Sequence, residues 1–301
     1  MGRIAIVTDS NSGITQEEAH ELGVHVIAMP VIVDEKTYFE GIDIDKKQFY
    51  KKLKDNIHIT TSQPLPGDII ELWSDLLNSY DSIIYIPMSS SLSRSYETSV
   101  LLANKFSGKV HVVNNRRISA TQRQSVIDAI ELVDAGISAL EIKYILEEDQ
   151  YSSTIYITVD TLEYLKKGGR ITPTVAAIAT ILKIKPVLQF QGDLLDTFAK
   201  VRTVKVAKKV MINALKDDII NRFNCNNKEN EIMLMVAHTD RDKEAEIMKR
   251  ELQDIFPDYP VYVGHLPLSI ACHTGPGALG VGAVKKLNVE AFNIRERMVV
   301  G

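Results

Sequence analysis

The residues best suited to chemistry in this chain gather in a few short segments. Thr60-Thr61-Ser62-Gln63-Pro64 sets hydroxyls just ahead of a helical pattern. A residue before proline is pushed toward extended backbone, so these hydroxyls can project into a cleft. Capping the following helix is the simpler role open to them. Ser89-Ser90-Ser91-Leu92-Ser93-Arg94-Ser95-Tyr96 follows a short apolar strand pattern and opens a second helix. Open α/β sheets bind ligands at the carboxyl ends of their strands. A helix start there offers free N–H groups and the positive end of its dipole to an anion. One cap needs a single serine, and the surplus favours a site. In His273-Thr274-Gly275-Pro276-Gly277 the glycines permit a tight turn and close backbone approach. The histidine at its head can donate to a carboxylate or phosphate, or simply serve the structure. Its neighbour Cys272 does not make a nucleophile–base pair with it.

Leu165-Lys166-Lys167-Gly168-Gly169-Arg170-Ile171 reads as a helix end, with lysines offsetting the dipole and glycine stopping the turn. Arg170 and the later Lys200-Val201-Arg202 have no part in that ending. They stand either as solvated charge or as a basic patch for an acidic partner or phosphate. Asp9, after the first strand, sits where α/β enzymes often keep a catalytic acid, and equally where a carboxylate braces a loop. Neither the Gly-x-x-x-x-Gly-Lys-Ser/Thr phosphate loop nor a Gly-x-Gly-x-x-Gly after the first strand is present. Gly-x-Ser-x-Gly and His-Glu-x-x-His are also missing, and the seven histidines lack metal-ligand spacing. The expectation is no resident cofactor, no metal and no catalytic residue for phosphoryl transfer.

The elements that must position these residues change rhythm along the chain. Residues 4–7, 83–86 and 110–113 read as buried strands. Between them, helices begin at the capping boxes Thr15–Glu18 and Asp45–Gln48. Residues 65–77 place Ile69, Leu72, Trp73 and Leu76 at core spacing, and helices follow over 119–133 and 138–148. Strands alternating with helices predict a parallel sheet covered on both faces. Later come a strand at 155–159, a helix at 162–167 and one from Pro173 to Leu182. A hairpin turns across Gly192-Asp193, and an amphipathic helix spans 204–220. A strand at 232–237, a helix at 242–256 and a strand at 261–264 complete an α+β pattern. The boundary falls near residues 150–165, dividing the chain into 1–160 and 161–301.

Composition bounds the partners. Of 301 residues, 45% are apolar and 25% charged, as in ordinary globular proteins. The net charge of −4 argues against a general nucleic-acid binder and against a polybasic membrane-surface protein. Two cysteines exclude a disulfide framework and favour a reducing, cytoplasmic setting. The longest apolar stretch, around residues 175–182, is too short to span a bilayer, so no stable membrane insertion is expected.

Taken in order, Val7-Thr-Asp-Ser10, Thr61-Ser-Gln-Pro64, Ser91-Leu-Ser-Arg-Ser-Tyr96, Leu165-Lys-Lys-Gly-Gly-Arg170, Ile184-Lys-Pro186, Lys200-Val-Arg202 and His273-Thr-Gly-Pro-Gly277 resemble the DegV family of bacterial lipid-binding proteins. The resemblance implies a two-domain α/β fold: a parallel-sheet N-terminal domain, an α+β C-terminal domain and a ligand tunnel between them. It implies a long-chain fatty acid such as palmitate as ligand, and a role as the non-catalytic, fatty-acid-binding subunit of a fatty acid kinase. A separate ATP-dependent kinase subunit would phosphorylate the acid to an acyl phosphate for phospholipid synthesis. The family's carboxylate site maps to Thr61, Ser62, Ser93 and His273, and its kinase-docking residues to Arg170 and Arg202. The usual Leu-Ser-Gly-Thr-Tyr is here Leu92-Ser-Arg-Ser-Tyr96. Arg94 therefore joins the carboxylate set, where it can restrict the backbone or add charge beside the head group.

The physics of such a ligand is demanding. At roughly 0.8 kcal/mol per buried CH₂, a chain as long as palmitate offers on the order of 10 kcal/mol before costs, so its pocket must be deep and apolar. The carboxylate is costly if buried unpaired, and hydroxyls, helix N–H groups and an imidazole can satisfy it. Two rivals remain open from sequence. One is a stand-alone enzyme on a small phosphorylated or carboxylated metabolite, using Asp9, Ser93 and His273. The other is a lipid-sensing regulator without a catalytic partner.

Overall fold

The first apolar run forms the opening strand in a computed structural model, which describes residues 2–55, 57–178, 184–225, 231–289 and 292. β1 (Ile4–Asp9), α1 (Gln16–Leu22) and β2 (His25–Ile27) lead into a hairpin of β3 (Pro30–Val33) and β4 (Lys36–Phe39). Then come α2 (Lys46–Lys54), β5 (Ile59–Thr61), α3 (Pro66–Leu76), β6 (Ser82–Ile86) and α4 (Ser95–Ala103). β7 (Val110–Val112), α5 (Ala120–Asp134) and α6 (Ala139–Glu148) follow. The chain continues with β8 (Ser153–Thr158), α7 (Glu163–Gly168), α8 (Pro173–Ile178), β9 (Lys185–Phe190) and β10 (Asp196–Val201). It proceeds through α9 (Val204–Asp217), β11 (Ile232–His238), α10 (Asp242–Ile255) and β12 (Val261–His265) to α11 (Leu268–Thr274) and β13 (Leu279–Lys285).

Three sheets result. The first, ordered β2-β1-β6-β7, is parallel throughout, as the alternation of strands and helices predicts. Trp73 and Ile69 of α3 pack on one of its faces against Val7, Ile83 and Tyr85. Leu132 of α5 and Ile142 and Leu146 of α6 pack on the other against Ile6, Ile84 and Ile86. The second sheet, β10-β9-β8-β13-β11-β12, is mixed, with β11 and β12 its parallel pair. α9 and α10 cover it through Met211, Leu215, Met248 and Leu252. β8 already belongs to this sheet, so the passage from one sheet to the other precedes Ser153. The expected hairpin is present as antiparallel β9 and β10.

The third sheet, antiparallel β4-β3-β5, was not anticipated as a unit, and it matters for the site. Val31 and Val33 of β3 join Phe49 and Leu53 of α2 and Leu268, Ala271 and Cys272 of α11 in one buried cluster. A late helix is thereby clamped onto an early sheet. Two other elements depart from expectation. The segment ending at His273 is the helix α11, where glycine and proline signals predicted only a turn. β13 escaped notice because Gly280 and Gly282 interrupt its pattern, yet a Cβ at Gly282 would stand 2.8 Å from the Thr154 carbonyl oxygen. The close approach of β8 requires glycine there. The helix expected from 204 to 220 ends at Asp217 and passes into a π turn over residues 218–222. α8 begins at Pro173 as predicted, and the stretch expected to carry it to Leu182 lies outside the described residues. Among the described residues, no helix is long and apolar enough to cross a membrane.

Leu268 is fully buried in the cluster that clamps α11. Leu268→Ala should lower unfolding free energy by about 2–5 kcal/mol, the cost of a core cavity. Denaturant unfolding measures this, and a loss below about 1 kcal/mol would show that the clamp is not tight.

Candidate functional site

A cavity of about 550 Å³ opens between the first two sheets. Its wall on one side comes from the loops after β1, β5 and β6, and on the other from α7, the β9–β10 hairpin and α11. Thr61, Ser62, Ser93, Arg94 and His273 all line it, so the whole predicted carboxylate set converges on one space. Arg170 lines it too. Arg202 does not; it lies exposed at the turn from β10 into α9.

Each group is placed by its own element. Thr61 ends β5, and its Oγ1 stands 2.9 Å from His273 Nε2, across the join between β5 and α11. The Nδ1 edge of the His273 ring faces Gly168, where any Cβ would collide with it. Gly168 closes α7, and Gly169, at φ 68°, turns the chain away behind it. The Arg170 guanidinium then reaches back, donating from Nε to the Leu92 carbonyl at 3.2 Å and from Nη1 to the Gly168 carbonyl. Ser93 Oγ accepts from Ser95 N at 3.2 Å, a local turn bond just ahead of the Arg94 N-cap of α4, while the side chain still faces the cavity. Ser89 and Ser91 donate to the Gly192 carbonyl at 3.3 and 3.0 Å, tying the serine loop to the β9–β10 hairpin. Two of the surplus serines thus join the halves of the molecule. Arg94 has φ −78°, a conformation open to any residue, so its replacement of glycine costs no backbone strain.

Burial pushes the His273 imidazole down to about 4, and the nearby Arg170 charge adds to the effect. At neutral pH the ring is therefore uncharged: one nitrogen donates and the other accepts. Cys272 is pushed up to about 12 by burial, and its thiol donates to the Ile59 carbonyl at 3.4 Å. It packs in the cluster that holds α11. Asp9 is fully buried and accepts from the main-chain N–H groups of Met88 and Asn11 and from Gln122 Nε2. It braces the loops after β1 and β6. Sequence reasoning missed Asn11, Met29, Met88, Ile118, Leu195 and Ser269, which also line the cavity. The i, i+4 spacing of Ser269 and His273 was a signal for two of these walls, had α11 been recognised.

The scattered histidines also conceal one cluster. His238, Asp242 and His265 bring potential ligand atoms within 4.8 Å of one another. His265 Nε2 and Asp242 Oδ1 lie 3.0 Å apart. His238 Nδ1 accepts from the Arg241 main-chain N–H at 3.2 Å, and the Lys46 charge acts on both rings. Burial, with the Lys46 charge adding to it, holds both imidazoles below their ordinary range, so His265 meets Asp242 as a hydrogen-bond partner.

Two outcomes follow from this geometry. Gly168→Ala must displace the His273 ring, so it should break the Thr61 contact while leaving the fold in place. A His273 ring NMR signal unmoved by Gly168→Ala would contradict the packing. Further, the folded state holds His273 neutral, so the unfolded chain binds the extra proton between pH about 4 and 6.5. Stability from this residue is present above that window and is lost as pH falls through it. In ligand-free protein, His273→Gln should lose less stability than wild type between neutrality and the bottom of the window. Equal losses would assign the titration to another group.

Comparison with known proteins agrees with the fold. The sequence profile of the family described as "Uncharacterised protein, DegV family" matches residues 3–286. Protein DegV of Bacillus subtilis is 32% identical over 281 residues, covering 92% of this chain and 98% of its own. The crystal structure of DegV from Bacillus subtilis, a fatty acid binding protein, superposes with a TM-score of 0.83 at 31% identity, covering 95% of this chain and 100% of that one. A fatty-acid-binding DegV family protein from Thermus thermophilus superposes with a TM-score of 0.85 at 28% identity, covering 94% and 99% of the two chains.

Proposed function

The chain belongs to the DegV family, and from that premise we propose that it binds one long-chain fatty acid, such as palmitate, and presents the carboxylate to an ATP-dependent kinase subunit for conversion to an acyl phosphate. One observation carries the proposal. The cavity brings the donors Thr61, Ser93, Arg170 and His273 together with the apolar side chains of Met29, Met88, Leu92, Ile118 and Leu195. A fatty acid, charged at one end and apolar along its tail, uses both kinds of lining. The relatives from Bacillus subtilis and Thermus thermophilus, described as fatty acid binding, support the ligand class.

The residues divide the work. The tail gains free energy in proportion to the apolar surface it buries, and only a surplus over ordering costs appears as affinity. The carboxylate takes hydrogen bonds from the Thr61, Ser62 and Ser93 hydroxyls and from neutral His273. Arg170 and Arg94 supply positive charge beside it without a committed bidentate pair. An acid held in this way keeps a carboxylate oxygen available as the nucleophile that attacks the terminal phosphorus of ATP, releasing ADP. This chain carries no nucleotide loop, so the transfer machinery belongs to the partner, and this subunit is not itself the catalyst. Arg202, exposed and outside the cavity, and Arg170, which lines it, are the docking residues for the kinase. The proposal includes a cytoplasmic setting and a division of the chain near residues 150–165 into two domains that share the ligand.

Denaturing the purified protein, extracting it and applying mass spectrometry should yield stoichiometric long-chain acid. No acid in the extract, and none bound after delipidation, would contradict the proposal. With the kinase subunit and ATP added, Arg202→Ala should retain the acid yet form acyl phosphate at least tenfold more slowly. Loss of acid binding by Arg202→Ala would refute the division between head-group and docking residues. Turnover of a small metabolite without any partner would favour a stand-alone enzyme instead.

A further inference from the structure

We infer that a second cavity, beside the first, takes the phosphoryl group of the acyl phosphate, with Lys167 and Arg170 as its cations. This rests on the fatty-acid proposal above and adds a product subsite to it. The second cavity also measures about 550 Å³. It shares Thr61, Arg170 and His273 with the first, and none of its other lining residues is shared. Those three side chains therefore stand between the two spaces. The contact between Thr61 Oγ1 and His273 Nε2 is part of that partition. A carboxylate held by these two groups from the first cavity has its reactive oxygen beside the second.

The reaction raises the demand for positive charge at this point. A carboxylate oxygen bonds to the terminal phosphorus of ATP, the bond from that phosphorus to the bridging oxygen breaks, and ADP departs with the electron pair. The head group thereby goes from one negative charge toward two. The second cavity supplies the cations. Arg170 commits Nε and Nη1 to the Leu92 and Gly168 carbonyls, while its Nη2 makes no hydrogen bond among the described residues. Lys167 lines the cavity from the last turn of α7 and makes no ion pair among the described residues. It is exposed, as suits a group that meets phosphate arriving from another protein. Its neighbour Gly168 is the residue that the His273 ring faces, so α7 delivers Lys167 to the partition. Glu163, the acidic member of the lining, stands one turn earlier on α7, about 6 Å back along the helix axis. The basic end of the cavity is therefore the end next to the head group. Thr60 adds a hydroxyl to the same lining.

Calorimetric titration of delipidated protein tests this with palmitate and with the β-ketophosphonate that carries a methylene in place of the bridging oxygen of palmitoyl phosphate. Wild type should bind both. Lys167→Ala should weaken the phosphonate about tenfold, the loss of one charge-assisted hydrogen bond, and leave palmitate within about twofold. Lys167→Arg should restore most of the phosphonate affinity. A lysine that served only the helix dipole would change stability without separating the two ligands. If wild type binds palmitate but not the phosphonate, or if Lys167→Ala weakens both ligands equally or neither, the subsite is refuted and the fatty-acid proposal stands. If wild type binds neither ligand, both proposals fail together. Retained palmitate binding certifies the fold of each variant.

Discussion

A neutral imidazole beside a threonine hydroxyl, 2.9 Å apart inside the molecule, is the contact that the rest of the structure is arranged to keep. The two groups come from opposite ends of the chain, Thr61 on β5 and His273 on α11. Neither element is long, and three residues of strand with seven of helix have little stability of their own. They are held by what they pack against. The small sheet and α2 grip α11 through Leu268, Ala271 and Cys272, and Gly168 offers His273 a surface with no Cβ in the way. The Thr61–His273 site is therefore a product of tertiary packing.

Charge is managed by distance and burial. Burial keeps His273 unprotonated and the Arg170 charge adds to the effect, while the Arg170 guanidinium is occupied with the Leu92 and Gly168 carbonyls. A bound acid would then meet donors of graded strength: hydroxyls, a neutral ring and a guanidinium already engaged. A buried bidentate ion pair would hold a carboxylate more firmly and release it less readily for reaction. Met29 and Met88 give the cavity unbranched, polarizable walls that can adapt to the shape of a ligand. Asp9, which occupies the position of a catalytic acid, instead braces the two loops that shape this wall, taking N–H groups from Met88, Asn11 and Gln122.

Much of this architecture was legible from residue order. The parallel sheet follows from apolar runs separated by capped helices, and Thr15, Asp45 and Ser138 cap where the pattern places them. Thr61, Ser62, Ser93, Arg94 and His273 were named from hydroxyl runs, a glycine–proline turn and a family resemblance, and they meet in one cavity. What escaped were contacts that local pattern does not encode. α11 is short and lacks a side-chain cap, so the glycines after it dominated its signal. β13 carries glycines because β8 approaches too closely for side chains. Asn11 and Ser269 are 258 positions apart, and nothing in either neighbourhood announces that they touch. The dual use of Ser89 and Ser91 as ties to Gly192 was hidden for the same reason.

The most direct test of the central claim is a crystal structure of the protein bound to palmitate. The account predicts carboxylate oxygens within hydrogen-bond reach of Thr61 Oγ1 and His273 Nε2, with the tail running between Met29 and Met88. A tail threaded in the opposite sense, or an acid seated outside this cavity, would contradict it.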